Sequence, residues 1–158
     1  MSGENPQLDP IAESRRQWIA HGWAAAADGM ATVTTVMYLN QLFLGRIDRI
    51  LRPYGLTFAR FEVLRLLAFT RAGALPMGKL GALLQVHPAS VTNAVGRLEA
   101  DRLVSRRDHP DDSRSTLAAL TAKGRDLVER ATADLNVFFA SIEPPLGLDQ
   151  LRAASAGG

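Results

Sequence analysis

The sequence predicts a mainly α fold of the α+β kind, a series of helices interrupted once by a two-stranded hairpin. Three observations carry this. Apolar residues recur at helical spacing from residue 11 to about 102, and the period then changes to alternation across a polar turn at 103–120. Just before that change, MGKLGALLQ and VHPASVTNAVGRLEADRLVSRR read as a short helix, a tight turn and a second helix that begins beside a proline. Helix, turn, helix and hairpin in that order are the signature of a winged helix-turn-helix with a two-stranded wing, a module that reads DNA.

Taken in order, residues 1–10 (MSGENPQLDP) are polar and are expected to be disordered. Residues 11–27 are helical, with Gly22 and Gly29 marking a bend or a join, and a longer helix is expected over 30–51. Val33, Val36, Met37, Leu39, Leu44, Ile47, Ile50 and Leu51 make that helix apolar over a wider arc than one small core requires, so part of it is expected to meet a partner chain. Arg52-Pro53-Tyr54-Gly55 ends it. Thr57 is placed to cap a helix reaching about Thr70, with Phe61, Leu64, Leu67 and Ala68 inward, and residues 72–76 break it. The helix over 77–85 is expected to bury Leu80, Leu83 and Leu84, and Val86-His87 turns into the next, with His87 placed to cap it. A strand at 103–107, a turn over 109–113 and a returning strand at 116–120 form the wing, with Arg114 near its tip. Thr121 caps a helix to about Glu143 that carries Leu127, Ala131, Leu135, Phe138, Phe139 and Ile142, and a short helix is expected over 146–154. The implied domains are N-terminal helices at 11–52, a DNA-binding lobe at 55–122 and C-terminal helices at 123–158.

The helix that starts at Pro88 carries the functional argument, because its faces differ in kind. At about 100° per residue Val91, Val95 and Leu98 share one stripe, which faces the core. Opposite lie Ala89, Ser90, Asn93, Gly96 and Arg97, with Thr92 on the flank. Small residues permit close approach, and hydroxyl, amide and guanidinium donors read base edges and phosphates. A solvated amphipathic helix has the same pattern, and the flanking turn and wing favour the DNA reading.

Composition narrows the classes. The chain has 158 residues, enough for one domain with its own core, and no cysteine, which excludes disulfides and thiolate metal sites. Its three histidines are far apart, so no metal or other cofactor is expected. Neither a secretory leader nor a membrane span is legible, so a cytoplasmic protein, on the nucleoid when bound, is expected. The net charge of +2 is unevenly spread: residues 45–125 hold fourteen basic and seven acidic residues, against two and four before and two and five after. A basic centre between acidic ends suits contact with polyphosphate through the middle. No glycine-rich phosphate loop, nucleophile elbow or acid–base pair is present, which argues against an enzyme.

Together GLTFARFEVLRLLAF, MGKLGALLQVHPASVTNAVGRLEADRLVSR and HPDDSRSTLAALTAKG resemble the multiple antibiotic resistance regulator (MarR) family of dimeric bacterial winged-helix transcription factors, over about residues 30–143. The ordered set RLEADRLVSR, the spacing of Pro110, Asp112 and Arg114, and LTAKG carries the likeness. The resemblance implies that Ser90, Thr92, Asn93 and Arg97 face the major groove and that Arg114 enters the adjacent minor groove. It implies that Asp112 pairs with and orients Arg114, although the same two residues could simply staple the hairpin. Lys79, Arg106 and Arg107 are expected on phosphates. The family usually carries an acid at His109 and often a base at Ser113, so this wing lacks a positive charge that the family often has at Ser113.

The resemblance further implies a homodimeric repressor on a pseudo-palindromic operator, released by a small organic acid, phenolic compound or acyl thioester. Trp18, His21, Trp23, Tyr38 and Arg65 are the effector-binding candidates, while aromatic residues at helical spacing serve equally as core or dimer packing. The competing class is a winged helix used for protein–protein contact without DNA, which the donor-rich face and basic centre disfavour.

Overall fold

The computed structural model describes residues 9–142. Its elements are helix α1 (Pro10–Ala20), helix α2 (Ala24–Leu51), a 3-10 turn (Arg52–Tyr54), α3 (Phe58–Phe69), β1 (Ala74–Pro76), α4 (Met77–Leu84), α5 (Pro88–Ala100), β2 (Val104–His109), β3 (Asp112–Leu120) and α6 (Ala122–Ala140). Of residues 1–10, expected to be disordered, Asp9 and Pro10 instead start α1, while residues 1–8 and the helix expected at 146–154 lie outside the described residues. The chain divides into two compact units, 1–46 and 47–158, the boundary falling inside α2.

In the first unit, Asp9 caps α1 by accepting from the backbone N–H groups of Ile11 and Ala12 at 3.0 and 3.1 Å. The break anticipated at Gly22 or Gly29 falls at Gly22, whose φ of +87° lies in the left-handed region that glycine enters at least cost. Gly29 sits within α2, which therefore starts at Ala24 rather than near Met30. The helix tolerates it because one interior glycine costs only about 1 kcal/mol. Arg15 Nε meets Asp28 Oδ1 at 2.6 Å across the turn.

The second unit is the winged helix. Thr57 accepts from the Arg60 N–H at 3.3 Å and Thr121 from the Gly124 N–H at 3.0 Å, so both sequence-predicted caps start helices. Gly55, at φ +66°, ends the 3-10 turn. The core gathers Phe61, Val63, Leu64 and Leu67 of α3, Leu80 of α4, Val91, Val95 and Leu98 of α5, Leu103, Val104 and Ala118 beside and on the sheet, and Val128, Ala131, Leu135 and Phe138 of α6. Helix α5 thus buries the predicted stripe and no more.

Four expectations are corrected. Leu83 is exposed, because at the end of α4 the inward position beside Leu80 goes to Gly81, where an added Cβ would stand 3.5 Å from Val91 Cγ2. On α6 Val128 is buried while Phe139 is exposed, and the helix ends at Ala140, leaving Ile142 beyond it and exposed. Residues 74–76, read as a break, form an edge strand in a three-stranded antiparallel sheet of order β1-β3-β2, with Leu75 opposite Ala118. Pro76 is tolerated there because an edge strand can spare an N–H. The wing strands are also longer than predicted and the turn shorter. His109 pairs with Asp112 across Pro110-Asp111, and the register shifts between Asp108↔Thr116 and His109↔Asp112. That shift leaves residues 113–115, Arg114 among them, without partners on β2.

Candidate nucleic-acid interface

The donor-bearing face of α5 is assembled from its start. Pro88 occupies the first position of the helix, and the His87 ring Nδ1 accepts from the Ala89 N–H at 3.1 Å, so His87 is the cap. With Val91, Val95 and Leu98 turned inward, Ser90, Thr92, Asn93 and Arg97 are all exposed. Thr92 Oγ1 donates to the Pro88 carbonyl at 3.1 Å, which leaves its methyl group and the oxygen's two lone pairs for an outside partner.

Two clefts flank this face. One, of about 490 Å³, is lined by Thr57, Arg60, Ser90, Asn93 and Arg97 between the start of α3 and the outer face of α5. The other, of about 390 Å³, holds Thr92, Arg106, Arg114 and Ser115 between α5 and the wing. The fold therefore gathers the predicted readers into two sets, Ser90 with Asn93 and Arg97, and Thr92 with Arg114.

Arg114 is exposed on the irregular part of β3. Asp112 Oδ1 accepts its backbone N–H at 3.0 Å, so the carboxylate fixes the main chain at Arg114. His109 Nδ1 accepts the Asp111 N–H at 3.1 Å and stiffens the wing tip in the same way. Lys79 is exposed in the first turn of α4, and Arg107 on β2 is exposed too. Its neighbour Arg106 faces α5: Nε lies 3.4 Å from Glu99 Oε2. Sequence reasoning passed over Arg60, whose side chain is only 19 % exposed and lies 3.7 Å from Asp101 at the end of α5. Only the packing of α3 against α5 brings it to the cleft.

The effector candidates fall in both units. Trp18 and Trp23 meet edge to face at 5.3 Å, and His21 stacks on Trp23 at 5.8 Å, forming one aromatic cluster at the α1–α2 turn. Tyr38 is exposed on α2. Arg65 belongs to the second unit, where its guanidinium donates to Thr132 Oγ1 at 3.1 Å and Glu129 Oε1 at 3.0 Å and lies over the Phe69 ring at 4.5 Å. Its Nε is buried without a hydrogen-bond partner. Hydrogen bonding and charge from Arg65 hold the Glu129 carboxyl below its usual range, whereas burial pushes that of Glu62 up. Both Glu62 and Arg65 line an apolar cavity of about 270 Å³ with Phe58, Phe61, Phe69 and Phe139. Sequence periodicity missed this cavity because its walls come from α3, α4 and α6.

Known proteins share this fold. A MarR family model matches residues 54–115, the stretch from the end of the 3-10 turn to the wing. The crystal structure of Sco5413, a MarR family transcriptional regulator from Streptomyces coelicolor, is 42 % identical, with a TM-score of 0.72 over 82 % of this chain and 96 % of that one. The chain belongs to the MarR family. Another relative is the helix-turn-helix-type transcriptional repressor Rv2887 of Mycobacterium tuberculosis, 31 % identical over 106 residues, or 67 % of this chain and 75 % of that protein. CouR from Rhodococcus jostii RHA1, solved bound to p-coumaroyl-CoA, is 28 % identical with a TM-score of 0.64, covering 76 % of this chain and 85 % of that one. As a MarR family member the protein is a DNA-binding transcriptional regulator, in a family of regulators rather than enzymes. Among the described residues no helix is long and apolar enough to cross a membrane.

Proposed function

We propose that this MarR family protein is a homodimeric repressor that binds a pseudo-palindromic operator and releases it when a small organic ligand binds. The observation that carries the proposal is the exposed donor face of α5 between two clefts. In this reading Ser90, Asn93 and Arg97 read base edges, with Thr92 offering a methyl and an oxygen at the groove edge. Arg114, held at the wing by Asp112, enters the neighbouring minor groove, and Lys79 and Arg107 neutralise phosphates. Residues 55–122 act as the DNA-binding lobe, and residues 11–52 and 123–158 hold the dimer.

Support for the dimer comes from α2, where Val33, Val36, Met37, Tyr38 and Leu42 are about half exposed or more, a run of apolar surface suited to a second copy. Repression is suggested by the relative Rv2887, itself a repressor. An aromatic acyl thioester or organic acid as effector is suggested by CouR and by the Phe-lined cavity beside Arg65, whose buried Nε can donate to an anionic ligand. Trp18, His21, Trp23 and Tyr38, in the first unit, are a separate candidate surface for an aromatic ligand. Release requires unequal ligand affinity for the bound and free arrangements.

The test is selection of operators from random duplexes, followed by anisotropy titration and measurement of stoichiometry. Two chains per duplex on an inverted repeat, with half-site centres about 10 base pairs apart, support the proposal. One chain per duplex on an asymmetric site overturns it.

A further inference from the structure

The last turn of α5 ends in two acids, and each is held by an arginine from a different neighbouring element. Glu99 Oε2 lies 3.4 Å from Nε of Arg106 on β2. The Arg106 guanidinium also rests over Gly96, where an added Cβ would stand 3.6 Å from Nη2, so the small residue makes room for it along the helix. At the helix end, Asp101 Oδ2 lies 3.7 Å from Nη1 of Arg60 on α3, and Arg60 Nε donates to Thr57 Oγ1 at 3.3 Å. Lys123 of α6 donates to the Asp101 carbonyl at 2.9 Å.

Stability alone is a poor reason for these acids. Carboxylates at a helix C-terminus oppose the helix dipole. The side chains are 38 % and 43 % exposed in the Arg106–Glu99 pair, and 19 % and 54 % in the Arg60–Asp101 pair, so both are surface pairs of small net worth. A carboxylate beside a DNA-reading face also repels phosphate. What the pairs do supply is position. Arg106 ties α5 to the strand that leads to the wing, along the cleft holding Thr92 and Arg114; Arg60 ties it to α3, along the cleft holding Asn93 and Arg97.

We infer that Glu99 with Arg106, and Asp101 with Arg60, are positioning pairs that fix the recognition helix against the wing and against α3, and so set the spacing between its base-reading side chains and Arg114. Arg106 on this account acts through Glu99 and is not a phosphate contact. The inference rests on the DNA-reading assignment of α5, and its sign is distinctive. Removing the negative charge of Glu99 should weaken operator binding, although charge alone predicts tighter binding.

Glu99→Gln, Arg106→Ala and the charge-exchanged double variant E99R/R106E are compared with wild type on the selected operator and an unrelated duplex, at several salt concentrations. Positioning predicts that each single variant lowers the operator-to-unrelated affinity ratio about tenfold, the size of one damaged base contact, with the salt slope unchanged. The double variant recovers most of the ratio. Tighter binding of Glu99→Gln to both duplexes, with a salt slope for Arg106→Ala smaller by about 1, makes Arg106 a phosphate contact and overturns the inference.

A second readout needs no DNA. The chain has no cysteine, so spin labels at Ala89→Cys and Asp111→Cys, on labelled chains diluted into unlabelled protein, report the distance from α5 to the wing tip. A distribution that broadens in Glu99→Gln supports positioning, and one that does not change overturns it. If wild type prefers no duplex, the DNA reading has failed, and the distance measurement still decides whether the pairs hold the helix.

Discussion

Gly124 packs its α-carbon against the backbone carbonyl of Leu103, leaving no room for a side chain. An added Cβ would overlap the Leu103 oxygen and stand 3.0 Å from its carbonyl carbon and 2.9 Å from Leu120 Cδ1. The same carbonyl accepts from the Thr121 N–H at 3.1 Å and from Thr121 Oγ1 at 3.0 Å. The start of α6 is therefore seated on the residue that joins the recognition helix to the wing. Gly124→Ala must push backbone from backbone, and a loss of about 3 kcal/mol in urea unfolding is expected, the upper range for an overpacked site. An unchanged midpoint would mean that α6 is not seated there.

Arg102 follows the end of α5 at φ +59°, a left-handed conformation that costs a side-chain-bearing residue and suits glycine. Arg102→Gly should raise stability by about 1 kcal/mol in the same assay, the size of the relieved left-handed penalty. A loss would mean that the Arg102 side chain makes a contact worth more than the strain.

Much of this architecture was legible in the residues, and the part that was not has a common cause. The caps at Thr57, His87 and Thr121, the left-handed stop at Gly55 and the inward stripe Val91, Val95 and Leu98 depend on neighbours within one or two turns, and each appears where its spacing put it. Strand β1 depends on Ala118, more than forty residues away, and no local pattern marks a three-residue edge strand that contains a proline. Leu83 was assigned inward by periodicity alone, whereas Gly81 takes the inner position because α4 approaches Val91 closely. At the interface the outward face of α5 was readable, but Arg60 and Glu99 were not: their roles come from which helix or strand lies opposite.

Arg65 and Glu129 give the stability a pH dependence of known sign. Arg65 holds the Glu129 carboxyl below its usual range in the folded chain. Folding is therefore favoured while pH stays above the unfolded-chain value, and that contribution disappears as pH falls through the depressed folded value. Arg65→Met should shrink the difference in unfolding midpoint between neutral and acid pH. Glu62, whose carboxyl burial pushes up, contributes with the opposite sign, so Glu62→Gln should enlarge that difference. Chemical denaturation of the variants across pH checks both.

On the DNA face, Arg97→Ala should cost roughly 1–3 kcal/mol of operator binding and relax preference at one base position if Arg97 reads a guanine. Equal loss on every sequence would reduce it to a phosphate contact. Arg114→Ala should weaken operator binding and leave the sedimentation coefficient unchanged, whereas a change in oligomeric state would place the wing in the subunit contact.

The most direct test of the central claim is titration of the purified protein against the DNA upstream of its own gene, beside an unrelated duplex of equal length, at two salt concentrations. A sequence-reading α5 in a basic lobe predicts preference for one duplex and a steep weakening with salt. Binding that is equal on both duplexes in this assay and on every sequence recovered from a random pool would contradict it.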